Sequence, residues 1–326
     1  MNMNKQAVSV SRLQKASQKV GSWILLKVLF ILVLSMHPIF LNAQKETGKS
    51  AGWLRRVLLT NDDGISETRL WALGKAFSKV SATYIVASFE DRSGTSNVSG
   101  LGKYKRSLFV KREYMSENLV AYGVAGYPAD CVAFGIKGLL KDQPPDLVVS
   151  GINSGPNLGD DAWFGSGTIG AARAAAFLGF PAIAVSGLDD DDKEMVRWVT
   201  QWVVRFAQSK IVKELKPGEY LTVSIPTVRP SEIKGIKIVQ RTPSVRDFQW
   251  EKVWEEGEES DDETEAVWIV RVKGISKVPP SDSDGVWYRK GYIVIVPMRV
   301  GENDEILVNK LRTRKNELPE WPLKKQ

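Results

Sequence analysis

The chain reads as an α/β protein: a Rossmann-like, doubly wound, mainly parallel sheet followed by a C-terminal antiparallel hairpin extension. Three observations predict it. Between Arg56 and Ile225, short β-branched runs alternate with segments of helical periodicity. Past Pro226 the long helical segments cease and alternating apolar runs follow one another. Stretches rich in glycine, aspartate and asparagine fall where the early strands end, which is the edge at which open α/β sheets bind ligands.

The elements follow in order. Val57–Thr60 is a short apolar strand. Glu67–Val80 sets Leu70, Leu73, Phe77 and Val80 at helical spacing, and Thr83–Ser88 returns to a strand pattern. Ser107–Arg112 and Leu119–Val124 read as a β-pair, and a helix is expected over about 129–140. Cys131 lies on the apolar side of that helix, as a buried thiol would. Pro145–Ser150 is a buried strand, followed by a glycine-rich loop, a helix of small residues over Gly170–Leu178 and a strand at Ala182–Ser186. An amphipathic helix over Asp190–Gln208 and a strand at Tyr220–Ile225 complete the alternating part. Ile236–Gln240, Asp247–Trp254, Ala266–Val272 and Tyr292–Val296 then suggest antiparallel hairpins, and a last helix covers Asn303–Arg312. The acidic run Glu255–Glu263 sits between two of these strands, as a solvated hairpin tip or a cation site.

The first 43 of the 326 residues stand apart from this plan. Lys5, Arg12, Lys15 and Lys19 form a basic region without acids, Val28–Leu34 is a short apolar core, and Leu41-Asn42-Ala43 offers a cleavage site before Gln44. That pattern is a secretory signal peptide, and it predicts an exported, periplasmic protein that leaves the membrane after cleavage. An uncleaved anchor is the alternative reading. The organisation is then 1–43 signal, 44–53 linker, 54–313 folded domain and 314–326 tail. Within the domain, 54–226 is the core, 227–300 the hairpin-rich extension and 303–312 the last helix. Loss of the signal removes five of the 45 basic residues and no acid, so the formal charge falls from +7 to +2 and gives no argument for a nucleic acid partner. The only histidine, His37, leaves as well, which excludes Ser-His-Asp, Cys-His and His-zinc chemistry. With one cysteine there is no internal disulfide. Any metal must be held by oxygen, which means Mg²⁺, Mn²⁺ or Ca²⁺.

The most informative motif is Thr60-Asn61-Asp62-Asp63-Gly64, at the end of the first strand. Two adjacent aspartates repel unless a positive charge lies between them, and the glycine permits the turn that aims both at one point. An Asx turn is the competing reading. Glu90–Ser96 follows the second strand, and Gly151–Gly159 follows the Val148-Val149 strand, so carboxylates, a hydroxyl and an amide arrive at one edge. Gly165-Ser166-Gly167-Thr168-Ile169-Gly170 opens the small-residue helix, where free N–H groups and the helix dipole favour phosphate next to a hard cation; a plain N-cap at Ser166 or Thr168 is the competing reading. No Gly-Lys-Ser/Thr follows, so this is not a P-loop. A dinucleotide-dependent oxidoreductase is a weaker third option, because Asp62-Asp63-Gly64 occupies the place of the glycine turn it requires.

These residues resemble a known family. Leu58–Ile65, Arg92-Ser93, Gly126–Val132, Asp146–Gly159, Ser166-Gly167-Thr168, Gly179–Ser186, Ser281-Asp282 and Gly291–Val294 are similar, in order and content, to SurE, the survival-protein nucleotidases, over about 55–297. The resemblance implies a metal-dependent phosphomonoesterase that hydrolyses nucleoside 5′- and 3′-monophosphates, with broader phosphatase activity in reach. It implies one divalent cation per subunit, Mg²⁺ or Mn²⁺ with Ca²⁺ as a substitute in vitro, held by Asp62, Asp63, Ser93 and Asn153. It assigns catalysis to Asp62, Asp63 and Asn153, with base and nucleophile undivided between the two aspartates, and phosphate binding to Ser166, Gly167 and Thr168. The assembly implied is a homodimer or homotetramer.

The chain departs from the family pattern in places. One residue more than usual lies between Gly159 and Ser166, Phe164-Gly165 replaces the aromatic or histidine that commonly precedes Ser-Gly-Thr, and Ala174 stands where a glutamate is usual. Export is also atypical, the family being usually cytoplasmic. A non-catalytic protein that kept the metal and anion pocket is therefore the alternative to an enzyme.

Overall fold

A computed structural model describes residues 52–101, 107–188, 192–243, 246–253, 267–275, 280–301 and 305–314. The predicted signal segment, the linker up to Ala51, the acidic run 255–263 and the tail from residue 315 lie outside the described residues.

β1 (Arg56–Thr60) shows how the sheet is organised. Val57 and Leu59 enter one apolar cluster and Leu58 the other, so successive side chains feed opposite faces and both faces are covered. β2 (Ala82–Ser88), β3 (Val110–Met115), β4 (Leu119–Val124), β5 (Leu147–Asn153), β6 (Ala182–Ser186), β7 (Glu219–Ser224), β8 (Ile236–Ile238) and β11 (Ile293–Arg299) join it in a nine-stranded sheet of order β3-β4-β2-β1-β5-β6-β7-β11-β8. Pairing is parallel from β4 through to β7, antiparallel at β3–β4 and β7–β11, and parallel again at β11–β8.

Helices cover the two faces. On one side lie α1 (Thr68–Phe77) and the later helix Lys193–Ala207, with Leu70, Leu73, Phe77, Val199 and Val203 in the same apolar cluster. Burying a side chain such as Phe77 fully contributes on the order of 2–3 kcal/mol. On the other side lie α2 (Pro128–Ala133), which runs into a π turn at Phe134–Leu139, then α3 (Gly159–Gly165) and α4 (Gly167–Phe177). The single helix expected over 129–140 is thus an α-turn pair followed by a wider turn, in which Leu140 N–H donates to Gly135 O at 2.9 Å. Gly135 sits so close to β1 that a Cβ there would meet Leu58 at 2.7 Å. Cys131 is buried in this layer, and burial raises its pKa. α5 is the amphipathic Lys193–Ala207, capped by Asp192, and α6 (Lys210–Lys213) continues it after a turn.

Of the four runs beyond Pro226, two form the expected antiparallel hairpin, β9 (Arg246–Val253) with β10 (Val267–Ile275). The other two, β8 and β11, complete the main sheet instead. Their partners are far away in sequence, which alternation alone does not encode. α7 (Asp284–Arg289) and α8 (Glu305–Thr313) close the described chain.

Candidate active site

At the carboxyl end of β1 the Asn61 side chain folds the turn: its amide donates to Gly64 O at 3.1 Å and its oxygen accepts from Gly64 N–H at 3.3 Å. Gly64 has φ +107°, open to glycine, and the Asx turn and the aspartate pair coexist here rather than compete. Asp62 is 2 % exposed, and burial raises its pKa against the pull of hydrogen bonds from Thr168. Asp63 is pushed up to about 7, chiefly by burial and then by the charge of Asp62, while Arg69 opposes the shift. Among the described residues its Oδ2 accepts no hydrogen bond and is paired with the Arg69 guanidinium, 3.7 Å away. Asp91 adds negative charge felt by both carboxylates.

β5 brings the amide. The strand runs three residues past the expected Ser150, because a register shift between Ser150 and Asn153 makes a bulge that carries it on. Gly151, φ +129°, allows this: a Cβ there would lie 2.3 Å from Val185 O. Asn153 Nδ2 donates to Ser154 O at 2.6 Å and Gly155 O at 3.2 Å. Carbonyls only accept, so this fixes the amide with its oxygen toward Thr168, whose Oγ1 lies 3.2 Å away. The same hydroxyl donates to Asp62 Oδ1.

α4 brings the turn expected to bind phosphate. Ser166 is its N-cap, accepting from Ile169 N–H at 3.2 Å, so that side chain is engaged with its own helix. The backbone of Gly167 lies against Asp62, where a Cβ would come within 2.7 Å of Asp62 Cβ. The structure therefore brings Asp62, Asn153, Gly167 and Thr168 together directly. Ser93 lies on the adjoining turn, which is tied to the pair by Arg92 N–H to Asp62 O at 2.7 Å; its hydroxyl donates to Asp91 Oδ1 at 2.6 Å. A hydroxyl whose proton is placed on Asp91 keeps its lone pairs for another partner.

Several positioning residues are not among the candidate site residues read from the sequence. Asp130 is fully buried and accepts from Ser99 Oγ, Gly100 N–H and Tyr127 N–H, which anchors the loop after Ser93. Arg173 donates to Asn97 Oδ1, Tyr220 Oη and Trp163 O, joining that loop to α3. Of the segment around Ser281-Asp282, it is the next pair that is buried: Asp284 accepts from Gly159 N–H and Thr242 N–H, each at 2.9 Å. Asp282 instead bonds Trp287 Nε1 at the surface. The short helix α3, expected as loop, begins with Asp160 and Asp161, well placed against its dipole. Among the described residues no cluster of three or more Asp, Glu, His or Cys is arranged to hold a metal, so any cation here would rely on amide and hydroxyl oxygen beside the two carboxylates.

Comparison with known proteins decides the family. The family profile described as "Survival protein SurE" matches residues 57–247. The chain belongs to the SurE family. It is 34 % identical over 248 residues to the 5′/3′-nucleotidase SurE of Yersinia enterocolitica, covering 75 % of this chain and 91 % of that protein. It is 31 % identical over 243 residues to the 5′-nucleotidase SurE of Alkaliphilus metalliredigens, covering 74 % and 92 %. The crystal structure of the SurE protein from Aquifex aeolicus superposes with a TM-score of 0.65 at 26 % identity, covering 80 % of this chain and 99 % of that one. The sequence relatives so matched are nucleotidases by name, and the α/β fold is shared with the Aquifex aeolicus protein.

Proposed function

We propose that this SurE-family protein hydrolyses nucleoside 5′- and 3′-monophosphates to nucleoside and phosphate, using one Mg²⁺ or Mn²⁺ per subunit. The observation that carries the reading is Asp63 Oδ2, a buried carboxylate oxygen without a hydrogen-bond donor, beside a second buried carboxylate whose pKa is also raised. Such a pair fits a hard cation, with Asn153 Oδ1 and Ser93 Oγ as neutral oxygen donors. When bound, the cation supplies Lewis acidity toward the phosphoryl group and toward water. Asp62 or Asp63 takes the proton of the attacking water, since residues 44–326 contain no histidine. Asn153, whose amide hydrogens are held by Ser154 O and Gly155 O, orients the attacking water through Oδ1, and the N–H groups of Gly167 and Thr168 at the α4 N-terminus stabilise the charge of the phosphate.

The test is phosphate release from a panel of nucleoside monophosphates with and without Mg²⁺ or Mn²⁺, beside Asp62→Asn. Turnover is expected only with metal, and the variant is expected to lose at least about a hundredfold. Metal-independent hydrolysis, or an unimpaired variant, would refute the mechanism.

We further propose export through residues 1–43 and assembly as a homodimer or homotetramer. An N-terminus at Gln44 in the exported protein, read by mass spectrometry, is the expected result for the first.

A further inference from the structure

We propose that the cavity beside Ser166 is a nucleobase subsite that prefers guanine, with Phe164 as its stacking surface and Arg289 as its reader; the proposal rests on the nucleotidase reading above. The cavity has a volume of about 970 Å³ and begins at Gly94 and Ser166, next to Ser93 and Gly167. Asp62 and Asp63 do not line it, so an ester whose phosphate lies at Gly167 and Thr168 would have its organic part inside. Phosphate alone does not need such a space, whereas small-molecule sites commonly have it.

The charge of the lining selects what enters. Two carboxylates, Asp160 and Asp161, face two guanidinium groups, Arg241 and Arg289, and Asp160 is ion-paired with Arg241. A balanced wall gives a second phosphate no net attraction and favours a neutral, polar ring. Of the two aromatic residues, Trp163 is already engaged, with the Arg173 and Arg241 guanidinium carbons 4.8 and 4.4 Å from its ring centre. Phe164 is 77 % exposed on the cavity wall and makes no ring or cation contact among the described residues, so its face is open to a ligand. A base stacked there would cover it.

Arg289 also lines the cavity. It makes no hydrogen bond or ion pair among the described residues, and its fork of donors is complementary to two adjacent acceptors. Guanine offers such a pair in O6 and N7. Adenine has a donor amino group in place of O6, and pyrimidines lack N7.

The test uses the full chain with Mn²⁺ and compares kcat/KM for GMP, AMP and ribose 5-phosphate, alongside equilibrium binding of guanosine. The wild-type protein is expected to favour GMP over AMP about tenfold, and R289A to bring that ratio near one. F164A is expected to lower the ratio of GMP to ribose 5-phosphate about tenfold. R289K keeps the charge without the fork and should also lose the GMP preference, so the prediction stands even where R289A fails to fold. A wild-type protein indifferent to the base, or a GMP preference that survives R289A and R289K, overturns the subsite. Guanosine bound by wild type and not by R289A supports it even if no ester is cleaved, which would refute the nucleotidase reading alone. Ester turnover without guanosine binding removes the subsite alone.

Discussion

Gly170→Ala separates the geometry of the site from the stability of the fold. The residue lies in α4, where alanine in place of glycine would ordinarily stabilise a helix by about 1 kcal/mol. Here a Cβ would lie 2.0 Å from Ser96 O and 2.2 Å from Ser96 C, both backbone atoms. Ordinary contact begins at 3.4 Å, so the loop must withdraw by about 1.4 Å. That loop is held to the α4 turn by Ser96 N–H to Gly165 O at 3.0 Å and carries Ser93 three residues earlier. Crowding of this kind costs about 1–3 kcal/mol, offset by the helix gain, so the net loss of stability is about 0–2 kcal/mol. A shift of about 1 Å at a candidate ligand costs far more in rate, on the order of a hundredfold. Thermal denaturation and phosphate release measured on the same preparation test the argument. The expected result is a small fall in Tm with activity down about a hundredfold and weakened Mn²⁺ binding by calorimetry. Activity within twofold of wild type would show that the loop is not coupled to the site through this contact.

Two other predictions follow from the carboxylates. Asp63 has a folded-state pKa raised from 3.8 to about 7, so it binds its proton more tightly when folded; in the metal-free protein its contribution to stability is fully present below about pH 4 and is lost as pH rises through about 7. Melting curves at several pH values should show this slope, with saturating Mn²⁺ abolishing it and an unchanged slope contradicting the assignment. Asp284→Ala strands the buried N–H groups of Gly159 and Thr242 and should destabilise the protein by about 3 kcal/mol in urea titrations, with Asp284→Asn milder because one acceptor oxygen remains.

How much was legible in the sequence depended on whether its cause was local. Val57-Leu58-Leu59 is apolar on both faces and sits where only a central parallel strand is stable, so β1 was readable. Asp62-Asp63-Gly64 was readable because adjacent like charges and a required turn are both properties of neighbouring residues. Asn153 was harder to place: its approach to Thr168 depends on a bulge at Gly151, set by the contact with Val185 on another strand. The same holds for β8 and β11, whose membership in the main sheet is a matter of long-range pairing. Asp284 is not distinguishable from Asp282 in the sequence, because two Ser-Asp pairs lie side by side and only burial tells them apart. The cavity was invisible for the same reason, since Phe164 and Arg289 are 125 residues apart and each alone looks like ordinary surface.

The electrostatics of the site argue that it is incomplete as protein alone. Asp62 and Asp63 are neighbours in a place where water is largely excluded; burial raises the cost of ionising both, and the charge of Asp62 raises it further for Asp63. The guanidinium paired with Asp63 among the described residues, Arg69, is 3.7 Å from Asp63 and only 3.1 Å from Glu67, so its charge is divided. Asp62 has Thr168, a neutral partner. A sequence under pressure for stability alone would replace one aspartate by asparagine, which keeps the turn and removes the repulsion. Retaining both gives up stability for affinity toward an added positive charge, and that charge returns it: at a hundred times its dissociation constant a ligand specific to the folded state stabilises by about 2.7 kcal/mol. The same balance explains why Gly167 must lack a side chain. A methyl group against Asp62 Cβ would turn the carboxylate away from Thr168 and Asn153, leaving the repulsion in place while removing the geometry that makes it useful.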